Sequence, residues 1–301
     1  LIIFCKNSIY KLSNINDADT IAITPITKNV GCLDGHSIQE IGGDLLFLSP
    51  DGFRLVAGTE RIGDVELGSV SRQIQSVVST IAKSIDGFFV SSAVLRSKSQ
   101  YRFFYSAATG TTGTSKGLIG TITPNGFEWS ETIGIQAHGF ASGLDFSNIE
   151  QIYHGDSAGY VYNHNTGNDF NPAGVQTNIN ARYKTPNLDF GDAGTLKSLH
   201  YTKISFTPEG AVQPNLKVSY DFDSLDRPQP PLYTLDEIPT PAVFGAGTLG
   251  SSVFGAAGDP MVRTAVQGSG HNIAFKIFSQ DTKAPYSING FYVDYRPSGR
   301  R

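Results

Sequence analysis

Six histidines, His36, His138, His154, His164, His200 and His271, come first in any search for chemistry. Imidazole both ligates metals and carries protons near neutral pH. No H-E-x-x-H pattern is present. His154 and His164 are separated by nine residues, at and beyond YHGDSAGYVY (153–162). That stretch places apolar or aromatic arms around a Gly/Asp/Ser turn, so a hairpin there would bring the two rings together. A zinc site needs three or four ligands, and this pair supplies two. GTTGTSKG (110–117) has a phosphate-loop flavour, but Ser115 stands where a second Gly should precede Lys116. Asp17 and Asp19 open like a calcium loop yet lack its Gly and closing Glu, which reads as a surface turn. No G-x-S-x-G elbow occurs, and the scattered acidic residues define no glycosidase pair. The expectation is a non-enzyme with no catalytic residue, no metal ligand set and no cofactor.

The elements that would hold such residues read as short strands. The turn device at 153–162 recurs: FCKNSIYKL (4–12), LLFLSPDGFRLV (45–56) and TPNGFEW (123–129) each carry a polar or Gly-bearing centre between apolar arms. Asn7 to Asp51 is 44 residues and Asp51 to Asp156 is 105, close to two intervals of that size. A repeat of about 40–50 residues with several short strands per unit is the mark of a β-propeller blade. A plain β-sandwich or an irregular meander is the competing reading. One stretch breaks the rhythm: Ile74, Val77, Val78, Ile81 and Ile85 in 71–87 fall on one helical stripe, with Ser71 placed to cap it and Gly87 to end it. The stripe reads as a core-facing surface.

NHNTGNDFNPAGVQTNIN (163–180) is rich in Asn, Gly and Thr and reads as a linker. Alternating strand patterns return in LHYTKISFTP (199–208), NLKVSYDFD (215–223), NIAFKIFSQ (272–280) and NGFYVDYRP (289–297). Such half-buried antiparallel strands pair into facing sheets. The sequence thus predicts an all-β chain: a β-propeller-like region over 1–180, then an antiparallel β-sandwich over 181–301. Within the second part, 226–260 is Pro- and Gly-rich, and AVFGAG (242–247) is echoed by SVFGAA (252–257). Phe244 and Phe254 are candidate inter-subunit anchors there; as sequence they serve equally as clamps on the domain's own surface.

Composition sets the outer limits. Net charge is −4 and no basic block stands out, so sequence-specific nucleic-acid binding is not indicated. No apolar stretch approaches 18 residues. Cys5 and Cys32 form no C-x-x-C pair and read as reduced thilos of a protein assembled in a cytoplasm. LIIFCKNSIY (1–10) has no signal-peptide pattern and opens in mid-strand, which suggests a piece of something longer with an incomplete propeller.

FGDAGTLK (190–197), GSGHNIAFKI (268–277) and INGFYVDYRPSGRR (288–301), with GCLDGHSIQEIGGDLLFLSPDGFRLV (31–56), resemble the tail nozzle proteins of short-tailed, podovirus-type bacteriophages. The resemblance implies a ring, commonly of six copies, below the tail adaptor. It implies partners in the adaptor and in tail fibres or spikes, and viral DNA passing through the channel without sequence-specific binding. It implies a place in the virion tail and a role in gating DNA retention and ejection, with the loops at 226–260 and 109–117 as candidate gates. A carbohydrate-binding or carbohydrate-cleaving propeller at the host surface is the alternative. Trp129, the only tryptophan, makes sugar-stacking platforms sparse.

Overall fold

The computed structural model describes residues 1–57, 69–107, 116–135, 137–168, 175–238 and 261–300. Antiparallel strands dominate and helix is scarce, so the chain is all-β. It divides into two compact units, Leu1–Thr166 and Gly167–Arg301. The division falls inside the Asn/Gly/Thr-rich run.

In the first unit the described strands form antiparallel meanders of sequence neighbours. These are β1 (Ile2–Phe4), β2 (Ile9–Ser13) and β3 (Ala22–Thr27); β4 (Gln39–Ile41), β5 (Asp44–Ser49) and β6 (Gly52–Leu55); β7 (Phe88–Leu95), β8 (Gln100–Ala107), β9 (Lys116–Thr123) and β10 (Gly126–Ile133); and β11 (Gly139–Leu144), β12 (Glu150–Gly155) and β13 (Val161–Asn163). The turn chemistry explains the hairpins. Ser49 pairs with Gly52 across Pro50-Asp51, and Thr123 pairs with Gly126 across Pro124-Asn125. In the turn after β12, Asp156 Oδ1 accepts from the backbone N–H of Ala158 and Tyr160, closing an Asx-type loop.

The helical stripe forms α1 (Gln75–Lys83), flanked by 3-10 turns at Arg72–Ile74 and Ile85–Gly87. Its Ile74, Val77, Val78, Ile81 and Ile85 all enter the core built by Phe53, Tyr101, Phe103 and Leu118. Ser71 does not cap the helix: its Oγ accepts from the N–H of Phe53 instead. Each large apolar side chain fully buried here contributes about 1.5–3 kcal/mol. Gly120 is required where it stands, because a Cβ there would meet the Trp129 indole at 2.9 Å.

The second unit holds two antiparallel sheets. One runs β14 (Ile179–Lys184), β20 (Ile273–Asp281), β16 (Asn215–Tyr220) and β17 (Tyr233–Thr234). The other centres on β15 (Thr195–Pro208), flanked by β21 (Tyr286–Arg300) on one side and by β18 (Met261–Ala265) and β19 (Ser269–Gly270) on the other. Both contribute to one core that includes Ile204, Phe206, Val218, Tyr220, Phe275 and Ile277.

The alternation predicted through NLKVSYDFD stops early. Asp221, Phe222 and Asp223 take positive φ of 48°, 63° and 60°, and Phe222 leaves the apolar face to stand 70 % exposed. Asp221 drives this departure by accepting the N–H groups of His271 and Asn272 on Oδ1 and pairing with Arg227. The Pro-rich loop is partly ordered into the core: Leu235 and Ile238 are buried, and Ile238 bridges to Val212. Phe244, Phe254 and the rest of 239–260 lie outside the described residues, as do 110–115 of the Gly/Thr turn.

Candidate functional site

The two histidines singled out by spacing do converge. β12 carries His154 inward, and the chain leaving β13 returns His164 to it, with Nδ1 of His154 2.6 Å from Nε2 of His164. Two imidazoles sharing a zinc ion at about 2.0–2.1 Å each would hold their nitrogens about 3.3 Å apart. The observed separation is that of a direct hydrogen bond. Among the described residues no group of three or more His, Cys, Asp or Glu is placed to hold a metal ion.

The neighbours fix the proton positions. Arg102 on β8 is buried, and its Nη1 lies 3.5 Å from Nδ1 of His164, which must therefore accept. His164 Nε2–H then donates to His154 Nδ1, and the His154 Nε2–H is left buried without a partner. Gln100 accepts from Nε and Nη2 of Arg102, and Asn165 from Nη2. Phe104, Phe140 and Tyr162 wall the pair with aromatic surface. Burial, then the neighbouring His154 and Arg102, push the His164 pKa down to about 3; burial also lowers that of His154, against a weaker pull from Asp156.

Both rings are thus held neutral in the fold. The unfolded chain takes up protons on them as pH falls below about 6.5, while the folded His164 resists until about 3. Stability is therefore complete above about pH 6.5 and falls as the pH drops towards 3. Replacing His164 by Gln is expected to flatten the loss between pH 6.5 and 5, a range above carboxylate titration. Urea midpoints at half-unit pH steps check this.

A second cluster gathers in the other unit, and spacing alone did not reveal it. Lys197 on β15 is 1 % exposed. Its Nζ donates to the carbonyls of Asp192, Thr195 and His271, using all three ammonium hydrogens. Asp192 orders the approach: Oδ1 accepts from Gly194 N–H and Oδ2 from Thr195 Oγ1. Phe190 and Gly191 take φ of 51° and 86°, and Phe190 stacks on Tyr295 of β21 at 5.1 Å. Lys197 also pairs in register with Gly270 on β19 and Pro297 on β21. FGDAGTLK and GSGHN therefore meet at one ammonium group, and the FYVDYRP strand joins them through the Lys197 backbone and the Phe190 stack. The sequence held one signal: Lys197 alternates with Leu199, a cation on the apolar face of its strand.

Other polar candidates are local. Asp17 binds the Asp19 N–H and the Thr20 hydroxyl in an exposed turn. Cys5 and Cys32 are free thiols, the first exposed and the second buried. Burial raises the Cys32 thiol pKa, against hydrogen bonds from Ser37 and its surroundings. Trp129 is no sugar platform: it stacks on Phe53 at 4.9 Å and donates Nε1–H to the Val70 carbonyl. Among the described residues no helix is long and apolar enough to cross a membrane. No protein-family model and no curated protein matches the chain.

Proposed function

We propose that the chain is a structural component of a short-tailed phage tail, with the first unit as propeller blades and the second as a β-sandwich. In this reading copies of it form the nozzle ring that encloses the DNA channel and gates genome retention and exit. One observation supports the reading: the three C-terminal runs on which the resemblance rests come together at Lys197 and the Phe190–Tyr295 stack, as parts of one architectural unit. It ties β15, the turn before β20, and β21 together with backbone carbonyls and an aromatic stack. The meanders of sequence neighbours support the blade assignment, since each blade of a propeller is such a meander.

Particles assembled without this protein test the proposal. They are expected to leak DNA or fail to eject it, and tail tips imaged by electron microscopy should lack a ring of density. Normal DNA retention and infectivity without the protein would overturn the reading.

A further inference from the structure

Among the described residues, two edge strands in different units are regular in register, paired on one side and oppositely charged. β10 pairs only with β9, and β14 only with β20, each without a register shift. Most of the other described edges differ, although five-residue β18 is also regular. β3 carries Pro25, β21 has three register irregularities and Pro297, and β11 lies against β7. Such devices, or very short strands, keep sheet edges from recruiting further strands. β10 touches the 3-10 turn at Arg72–Ile74, and both strands carry charges: Glu128 and Glu131 on one, Arg182 and Lys184 on the other. Every residue of β14 is exposed.

The basic edge continues across its sheet. Lys184 stands in register with Lys276, and Lys276 with Lys217, a row of three cations. Like charges directly opposite are destabilising, and Asp223 meets only the Lys184 end, at 3.2 Å. The row fits a further acidic strand beside β14.

We propose that β14 of one copy of this chain pairs antiparallel with β10 of the next. This rests on the self-association that the ring reading requires, and it names the surfaces. On both strands even-numbered residues form the polar face and odd-numbered residues the more apolar one, apart from Glu131, which this pairing sets opposite Ala181. Faces match when Lys184 opposes Glu128. That register sets Arg182 opposite Ser130 with Glu128 diagonal to it, Tyr183 opposite Trp129, and Ile179 opposite Ile133. Ile133 and Ile179, now 61 % and 45 % exposed, would cover each other. Self-pairing of either strand gathers like charges along one edge, so unlike edges are favoured. A contact between unlike surfaces that is not made reciprocally by a two-fold pair runs head to tail, and closes into a ring when the rotation between copies allows it.

Disulfide trapping tests the register. In a Cys5→Ser background, Ile133→Cys and Ile179→Cys chains are oxidised separately and mixed. Residues opposed across a strand pair have Cα atoms about 4.5–5.5 Å apart, within disulfide range. A covalent pair only in the mixture is expected. The double variant Arg182→Glu/Lys184→Glu should self-associate about tenfold more weakly by light scattering, and adding Glu128→Lys/Glu131→Lys to it should restore association. Trapping of either single-cysteine chain with itself overturns the pairing. Wild-type rings that neither trap in the mixture nor respond to charge reversal overturn the pairing and leave the ring reading standing. A wild-type chain that stays monomeric at every concentration overturns both.

Discussion

Replacing Lys197 by methionine is expected to destabilise the second unit by about 3–5 kcal/mol. Methionine fills the volume of the lysine stem but donates no hydrogen bond. The carbonyls of Asp192, Thr195 and His271 then lose their shared donor. An orphaned buried polar group costs about 1–3 kcal/mol, and three are created together. Partial relaxation of the 192–195 turn keeps the total below their sum. In thermal melts this corresponds to a fall on the order of 10 °C. The variant's Phe190–Tyr295 stack should loosen with it, since the turn that presents Phe190 is held by the same ammonium. Near-ultraviolet circular dichroism of the tyrosine band reads that second effect. A variant within 1 kcal/mol of wild type, by the ordinary scatter of conservative core changes, would remove the clasp from the account.

Asp51→Ala is expected to be nearly as damaging to the first unit, at about 3 kcal/mol. Arg54 is 1 % exposed, and its guanidinium pairs with both Asp51 oxygens. Removing the carboxylate leaves a buried cation without its counter-charge. Arg54→Met should be far milder, because it removes the charge together with the need to neutralise it. The ordering of the two variants in urea midpoints is the decisive reading, and equal losses would count against a buried ion pair. Burial works to raise the Asp51 pKa, but hydrogen bonds from Arg54 and Ser49 and the Arg54 charge outweigh it and hold the carboxyl below the usual range. The unfolded carboxyl has the higher pKa, so this contribution is present above about pH 4 and is lost as acid protonates the folded group.

Hairpins were legible wherever local chemistry decides them. Ser49-Pro50-Asp51-Gly52, Asn125-Gly126 and the 155–159 turn all close the strands around them, because positive φ at glycine and Asx hydrogen bonds act within a few residues. The stripe in 71–87 was legible because its five apolar residues share one helical face. What distance in sequence hides was not legible. The bend at 221–223 depends on amides 50 residues further on, and Lys197 depends on a carbonyl at His271, 74 residues away. Alternation continued through Phe222 on paper because no residue in NLKVSYDFD announces that Asp221 will bind elsewhere. The histidine pair was legible as a meeting of two rings but not as a hydrogen-bonded chain, since Arg102, which orients it, comes from β8.

The two units also differ in how far along the chain their strand partners lie. In the meanders of the first, each strand pairs with its immediate neighbour. In the second, β14 waits for β20 and β15 for β21, so that Ile179 meets Asp281 and Thr195 meets Arg300. On a translating ribosome the first unit can therefore acquire its sheets as they emerge, whereas the second gains its long pairings only once β20 and β21 have emerged. Protease digestion of stalled nascent chains of increasing length would display that order, with resistance arriving stepwise for one unit and all at once for the other.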